Sequence, residues 1–450
     1  MTAYHSTHSF PALRTLVLGV GATGRSVARW LSRREQTAVF ADESEGADVE
    51  AIQNILPDAK VTLGFDAVDV GEFDQIVASP GIPDSAPILK RALAQRVPVV
   101  SDVTLFVREV NAALVGVTGT NGKSTVVSLL AAMCARADVL HAAGGNLGPP
   151  VLDLPLLDDG VYLLELSSYQ LHRSESLSLQ AACVLNVAPD HLEWHGGFDA
   201  YRDAKKKIYI DAAYAVVNRD DPNSAVGADC TAQVLTFGVG IPEDEHAFGL
   251  ARHRGATWFM CGASALLPVD DAALRGKHNH LNILAALALG TAIDLPMSAM
   301  LDAIRSFGGL PHRHQLVAQR HGVFWINDSK ATNCDASLAS VAAVEGDVIL
   351  LAGGVGKGED LTAFAQTLPQ SVRKIIAYGA NAAELHTAMT QATRDCDQVT
   401  TLEDAVTRAQ RDARAGDTVL LAPAAASQDA YANYIERGEH FTQLVGRLSA

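Results

Sequence analysis

The chain has 450 residues and a mass of 47.5 kDa, which at roughly 150 residues per domain suggests two or three folded units and excludes a single small module. Its 35 Lys and Arg stand against 51 Asp and Glu, a net charge of −16, so it repels nucleic acid and anionic membranes, and any phosphate it takes must meet a local positive site. Hydrophobic residues at 48% and charged residues at 19% exclude a disordered chain.

The segment from Met1 to Thr15 carries two histidines, one arginine and a proline but no apolar stretch. Nowhere do about 18 uncharged apolar residues run together, so neither a secretory signal nor membrane insertion is expected. Cys134, Cys183, Cys230, Cys261, Cys334 and Cys396 stand singly with no C-x-x-C pair, as expected of a protein kept in a reducing cytoplasm.

Short β-branched runs ending in Gly-rich or polar turns alternate with Ala- and Leu-rich stretches, the pattern of parallel strands buried by crossover helices. The expected class is α/β. Strands are expected at Thr15 to Val20, Val39 to Asp42, Gln75 to Ala78, Ala113 to Thr118, Val161 to Leu166, Ala182 to Val187 and Ala215 to Asn218. Four more are expected at Val323 to Asn327, Val348 to Ala352, Lys374 to Tyr378 and Thr418 to Ala422. Ligands of open parallel sheets bind beyond the carboxyl ends of strands, so the strand ends are where chemistry is sought. Breaks in the pattern near Val97 to Asp102 and at Gly308-Gly309-Leu310-Pro311 suggest three domains, 1–101, 102–309 and 310–450. Asp229 to Asp271 reads as irregular β structure or a surface excursion.

The first glycine motif, Gly19-Val-Gly21-Ala22-Thr23-Gly24, follows the first strand and opens a helix near Arg25, and Asp42 closes the next strand. Alone it reads as a dinucleotide fingerprint, hence a nicotinamide oxidoreductase; the competing readings are a turn cradling another nucleotide's diphosphate and a helix packing on a strand. The second, Gly116-Val-Thr-Gly119-Thr120-Asn121-Gly122-Lys123-Ser124-Thr125, lies between the strand at Ala113 and a helical run from Val126 to Ala135. That is the strand-to-helix setting of a phosphate loop. Its glycines let amide N–H groups converge on phosphate oxygens, Lys123 can reach the β- and γ-phosphates, and the Ser124 hydroxyl can ligate Mg²⁺. Five residues separate Gly116 from Gly122, one more than in the common Walker spacing.

Glu165 ends one strand and Asp190-His191 follows another, a carboxylate and an imidazole suited to a hard divalent cation beside nucleotide phosphates; singly, each also fits an ordinary helix-start acid or surface histidine. In Tyr201-Arg-Asp-Ala-Lys205-Lys206-Lys207-Ile-Tyr209 three adjacent lysines point around different sides of a helix, so spacing does not single one out. Three clusters of small and polar residues end strands in the last domain: Asn327-Asp328-Ser329-Lys330-Ala331-Thr332-Asn333, Gly353-Gly354-Val355-Gly356-Lys357-Gly358 and Pro423-Ala-Ala-Ala-Ser427. Together they suit a shared anion site.

In order and spacing, Gly119 to Thr125, Glu165-Leu-Ser-Ser-Tyr-Gln-Leu171, Pro189-Asp-His-Leu192, Tyr201-Arg-Asp-Ala-Lys205, His278-Asn279, Leu310-Pro-His-Arg313, Asn327 to Asn333 and Ala422 to Ser427 resemble the Mur ligases of peptidoglycan synthesis over nearly the whole chain. The resemblance is greatest to the branch that adds D-glutamate to UDP-N-acetylmuramoyl-L-alanine. It implies a Rossmann-like N-terminal domain for the uridine nucleotide, a central P-loop ATPase-type α/β domain, and a Rossmann-like C-terminal domain that completes the ATP site and receives the amino acid. It implies ATP and Mg²⁺ as cofactors, an acyl-phosphate intermediate, a cytoplasmic location and a monomer. A sister ligase adding L-glutamate or another amino acid is the near alternative.

Carried over by resemblance, Gly119, Thr120, Asn121, Gly122, Lys123, Ser124 and Thr125 hold the ATP phosphates, Asn279 the adenine, and Arg313, Asp328 and Lys330 the nucleotide from the last domain. Ser124 and Glu165 hold one Mg²⁺; His191 and Lys205, the latter as a carbamate, hold a second. Lys206 and Lys207 are then expected to be solvated. Gly21, Ala22, Thr23, Asp42, Ser79 and Gly81 match the uridine-diphosphate pocket, Asn146 the muramoyl-alanine contact, and Thr332, Lys357, Ser427 and Tyr434 the glutamate pocket. Val355 stands where the family often carries an acid.

Overall fold

A computed structural model of the chain describes residues 13–174, 176–274, 276–344, 346–356 and 358–448, apart from the side chain of His278. The chain forms two compact units, one ending at Phe307 and one beginning at Gly308. Three α/β layers are built on three sheets, two in the first unit and one in the second.

The first sheet takes β1 (Thr15–Leu18), β2 (Val39–Asp42), β3 (Lys60–Leu63), β4 (Gln75–Ala78) and β5 (Val99–Val100) in the order β3-β2-β1-β4-β5, all parallel. The strand order reverses between β1 and β4, and ligands of open parallel sheets bind beyond the carboxyl ends of strands at such a reversal. Gly19 (φ 93°) turns the chain there into the helix Ala22–Ser32. A Cβ on Gly24 would lie 2.0 Å from the Gly19 carbonyl oxygen, so the last glycine of the motif lets helix and turn touch. Val17, Val27, Ala28, Leu31 and Phe40 fill the space between helix and sheet.

The second sheet takes β6 (Ala113–Thr118), β7 (His141–Gly145), β8 (Val161–Glu165), β9 (Ala181–Val184), β10 (Tyr214–Asn218), β11 (Gln233–Phe237), β12 (Ala247–His253), β13 (Ala256–Cys261) and β14 (Ser264–Pro268). Their order is β14-β13-β12-β11-β10-β9-β6-β8-β7. β6 lies between β8 and β9, so the loops after these three strands share one edge. The stretch from Asp229 to Asp271 is ordered β structure: β12, β13 and β14 form an antiparallel meander added to the parallel sheet.

The third sheet takes β15 (Gln315–Arg320), β16 (Val323–Asn327), β17 (Val348–Gly353), β18 (Val372–Tyr378), β19 (Cys396–Gln398) and β20 (Thr418–Leu421), in the order β15-β16-β20-β17-β18-β19. Only β15 runs antiparallel. Along β17, Val348, Leu350 and Ala352 enter one core and Ile349 and Leu351 the other, so the central strand is apolar without alternation.

Differences from expectation fall at strand ends and edges. The first strand stops at Leu18 rather than Val20, and the one expected from Ala182 to Val187 spans Ala181–Val184, because the chain turns off the sheet into loops. Short or polar edge strands such as β3, β5, β15 and β19 carry little of the apolar signature that marks buried ones.

Candidate active site

At the end of β6 the phosphate loop closes on itself through local bonds. Gly119 (φ 152°) and Gly122 (φ 86°) take backbone angles that L residues rarely adopt, and the helix Lys123–Arg136 starts directly after Gly122. Asn186, just beyond β9, fastens the loop: its Oδ1 accepts from Asn121 N at 2.9 Å, its Nδ2 donates to Asn121 O at 3.1 Å, and its carbonyl accepts from Thr120 N. Lys123 Nζ curls back to the carbonyls of Gly119 and Thr120, both at 2.9 Å.

Ser124 and Glu165 meet in this loop. The buried Ser124 Oγ donates to Glu165 Oε2 at 2.6 Å, and Asn146 Nδ2 donates to Glu165 Oε1 at 2.7 Å. Glu165 is 2% exposed at the end of β8. Two hard oxygen donors beside a phosphate cradle suit Mg²⁺, whose remaining ligands would be phosphate oxygens and water. Asn146, matched in sequence to a substrate contact, here holds the carboxylate.

Lys205 is the buried one of the three lysines, 2% exposed in the helix Phe198–Lys206. Its Nζ donates to Gly119 O at 2.8 Å and lies 4.7 Å above the Tyr201 ring, whose hydroxyl meets Thr120 Oγ1 at 2.9 Å. Burial, and then the like charge of Lys123, push its amine down to about 7. Lys207 corrects the expectation of a solvated charge. It is half-buried and donates to His172 O at 2.6 Å, because the chain tightens into a 3₁₀ turn at Lys207–Tyr209 and swings it inward.

His191 has φ 51° at the start of the short helix Leu192–His195. Its side chain is 47% exposed, with Nε2 3.4 Å from Asp190 Oδ2 and the ring 5.0 Å from Tyr169. Among the described residues no three His, Cys, Asp or Glu side chains converge in one group. Asn279 Oδ1 accepts from Asn282 Nδ2 at 3.0 Å, and a Cβ on Gly122 would lie 2.4 Å from Asn282 Oδ1. The helix Lys277–Ala292 thus packs on the phosphate loop.

On the first sheet, Asp42 Oδ2 accepts from Val20 N at 2.9 Å and its Oδ1 from Ser44 N at 3.0 Å, so this acid shapes the glycine turn. Ser79, after β4, sits over that turn: a Cβ on Gly19 would lie 2.5 Å from Ser79 Oγ, an oxygen that is buried without a hydrogen-bond partner. Gly21, Ala22 and Gly81 are exposed and Thr23 is half-buried; these line the carboxyl edge at the β1/β4 reversal.

In the second unit the three expected clusters end the adjacent strands β16, β20 and β17. Val355 and Ala426 exchange backbone hydrogen bonds at 2.9 and 3.0 Å, joining two of them. Arg437, 1% exposed in the helix Tyr434–Arg447, binds all three: it donates to Ser329 Oγ and O at 2.9 Å and to the carbonyls of Ala425 (3.1 Å), Ala426 (3.3 Å) and Gly353 (3.5 Å). Lys330 Nζ lies 4.3 Å over the Tyr434 ring. Burial raises the Asp328 carboxyl, against the Ser340 hydroxyl, a His314 backbone bond and the Arg313 charge. Arg313 is exposed, Thr332 half-buried and Ser427 buried; Lys357 lies outside the described residues.

Sequence reasoning missed Asn186, Arg173 and Arg437. Asn186 had a findable signal, a polar residue just past a strand; the arginines had none, since their acceptors, most of them backbone carbonyls, belong to other segments of the chain.

The chain matches three families in succession: the Mur ligase MurD-like N-terminal domain over residues 13–101, the Mur ligase middle domain over 117–290, and the Mur ligase glutamate ligase domain over 312–425. It is 42% identical to the UDP-N-acetylmuramoylalanine–D-glutamate ligase of Nitrosococcus oceani, with 97% of each chain covered. To the ligase of the same name from Pseudomonas aeruginosa it is 40% identical, over 96% of this chain and 98% of the relative. Among solved structures, the UDP-N-acetylmuramate-alanine ligase MurC of Thermotoga maritima matches at a TM-score of 0.55 and 17% identity, covering 97% of this chain and all of that one. At that identity the likeness speaks for the fold alone.

Proposed function

The chain belongs to the Mur ligase family, and from that premise we infer that it is an ATP-dependent amide ligase joining D-glutamate to UDP-N-acetylmuramoyl-L-alanine. The observation that carries this reading is similarity along the whole chain to relatives of that name, together with a phosphate loop whose Ser124 touches a buried Glu165. The domain limits 1–101, 102–309 and 310–450 follow from the same reading. No helix among the described residues is long and apolar enough to cross a membrane, which suits a cytoplasmic enzyme. We take it to act as a monomer.

The chemistry answers a simple difficulty. A carboxylate is a poor electrophile at neutral pH, so an oxygen of the alanyl carboxylate attacks the γ-phosphorus of ATP, ADP leaves, and an acyl phosphate forms. The glutamate amine attacks the acyl carbon, phosphate departs, and the amine loses a proton. At each stage negative charge gathers on phosphoryl oxygens and must be met by fixed positive groups. Lys123 and the amides from Gly119 to Thr125 supply them at the loop. Ser124 and Glu165 would hold a Mg²⁺, which would supply further positive charge against the phosphates. Lys205 has the environment that favours a carbamate: its amine is held near 7, and the neutral amine is the form that adds CO₂, releasing a proton; the resulting anion and His191 are assigned to a second Mg²⁺. Asn279 is assigned to adenine, Arg313, Asp328 and Lys330 to the nucleotide, and Thr332, Lys357, Ser427 and Tyr434 to glutamate. Gly21, Ala22, Thr23, Asp42, Ser79 and Gly81 are assigned to the uridine diphosphate, with Asn146 on the muramoyl-alanine arm.

The test is product formation by the purified protein with ATP, Mg²⁺, UDP-N-acetylmuramoyl-L-alanine and either enantiomer of glutamate. Phosphate release is expected only when both acceptor and amino acid are present, with D-glutamate preferred by about 100-fold or more, as a site built for one arrangement of polar groups discriminates. Release without the amino acid, or equal use of L-glutamate, counts against the assignment.

A further inference from the structure

Arg173 follows the helix Ser168–His172, eight residues beyond Glu165, yet its side chain donates to one loop of the first sheet. Its side chain is 3% exposed. Nη1 donates to Ser79 O at 3.0 Å, and Nη2 to Ile82 O and, at 3.1 Å, to Asp84 Oδ1. The other Asp84 oxygen meets His172 Nε2 at 2.5 Å. Ser101 and Ser174 join the same two layers through hydroxyls 2.9 Å apart.

The loop so gripped is the one whose Ser79 covers the Gly19 turn. On its other side the guanidinium lies 5.4 Å over the Trp194 ring, three residues past His191. One side chain therefore touches the nucleotide cradle, follows the Glu165 strand through a short helix, and packs on the His191 segment. A guanidinium buried with its Nε lacking a partner is costly to keep for cohesion alone.

We propose that Arg173, seated on Asp84 together with His172, is a positioning residue that fixes the distance between the sugar-nucleotide loop and the phosphate-transfer centre. The inference rests on the reading above, that the β1/β4 edge takes the uridine diphosphate and that Lys123, Ser124 and Glu165 surround the reacting phosphate. A substrate held by its diphosphate at one end must bring a carboxylate at the other to within bonding distance of phosphorus. A misplacement of about 1 Å costs on the order of 100-fold in rate. The latch sets that span.

Arg173→Ala, Arg173→Lys and Asp84→Ala are to be compared with the unaltered enzyme in steady-state kinetics, with melting curves for each. Arg173→Ala is expected to raise KM for the sugar nucleotide about tenfold and to lower kcat, leaving KM for ATP within about twofold. Asp84→Ala should shift the same constant less, and the two changes combined should fall short of additive, since they remove one contact. Should Arg173→Ala not fold, Arg173→Lys, which keeps the charge but not three simultaneous contacts, must still raise the sugar-nucleotide KM selectively. Equal KM values in variant and parent, or a kcat lowered only in proportion to folded protein, overturn the latch. If the unaltered enzyme makes no product from the sugar nucleotide, the functional reading itself fails, an outcome recognisable before any variant is made.

Discussion

Lys205 sits beneath the phosphate loop with its amine against Gly119 O, and burial, followed by the like charge of Lys123, lowers the amine to about 7 from a usual 10.5. Between those values the unfolded chain binds more protons than the folded one, so this residue makes stability rise with pH from about 7 to 10.5. Replacing it with Met is expected to stabilise the protein at pH 7 in CO₂-free buffer by on the order of 1–3 kcal/mol, the cost of an incompletely satisfied buried polar group. Thermal melts of Lys205→Met check this, and a lowered melting temperature would refute it. Activity should move the opposite way: Lys205→Ala should lose at least about 100-fold and regain part of it with added acetate, if a missing anion is the defect. A fully active variant would remove Lys205 from the site. Lys206 and Lys207 differ from it only in helical phase and in the turn that follows, which is why three identical side chains acquire different chemistry.

At the scale of elements, each sheet places its chemistry where neighbouring strands end together: β1 and β4 in the first, β8, β6 and β9 in the second, β16, β20 and β17 in the third. The last set depends on the helix Tyr434–Arg447, because its Arg437 donates to the loops after all three strands. Arg437→Met keeps the apolar stem but leaves the Ser329 and Ala425 carbonyls without this donor, and is expected to destabilise the second unit by about 3 kcal/mol. Urea unfolding should show the loss as a shift in midpoint at unchanged slope. An unshifted midpoint would mean that the loops hold their positions unaided.

Considered whole, the chain keeps separate cores. The sheet from β15 to β20 has apolar clusters on both faces drawn entirely from residues beyond Gly308. Expressed alone, residues 308–450 should therefore fold, with a single cooperative melt and no phosphate release from ATP, since Lys123, Ser124 and Glu165 are absent. A gradual, non-cooperative loss of ellipticity would contradict the independence of that core. The amino-acid sequence alone determined the α/β class, the phosphate loop, the strand-end clusters and the family, because glycine tolerance, amide convergence and apolar runs are set by residues adjacent in the chain. Only the tertiary structure decided which lysine is buried, that Asp42 and Asn146 hold neighbouring groups in place, and that Arg173 and Arg437 tie distant loops. Desolvation and backbone acceptors come from segments tens of residues away, whose approach the order of residues does not reveal.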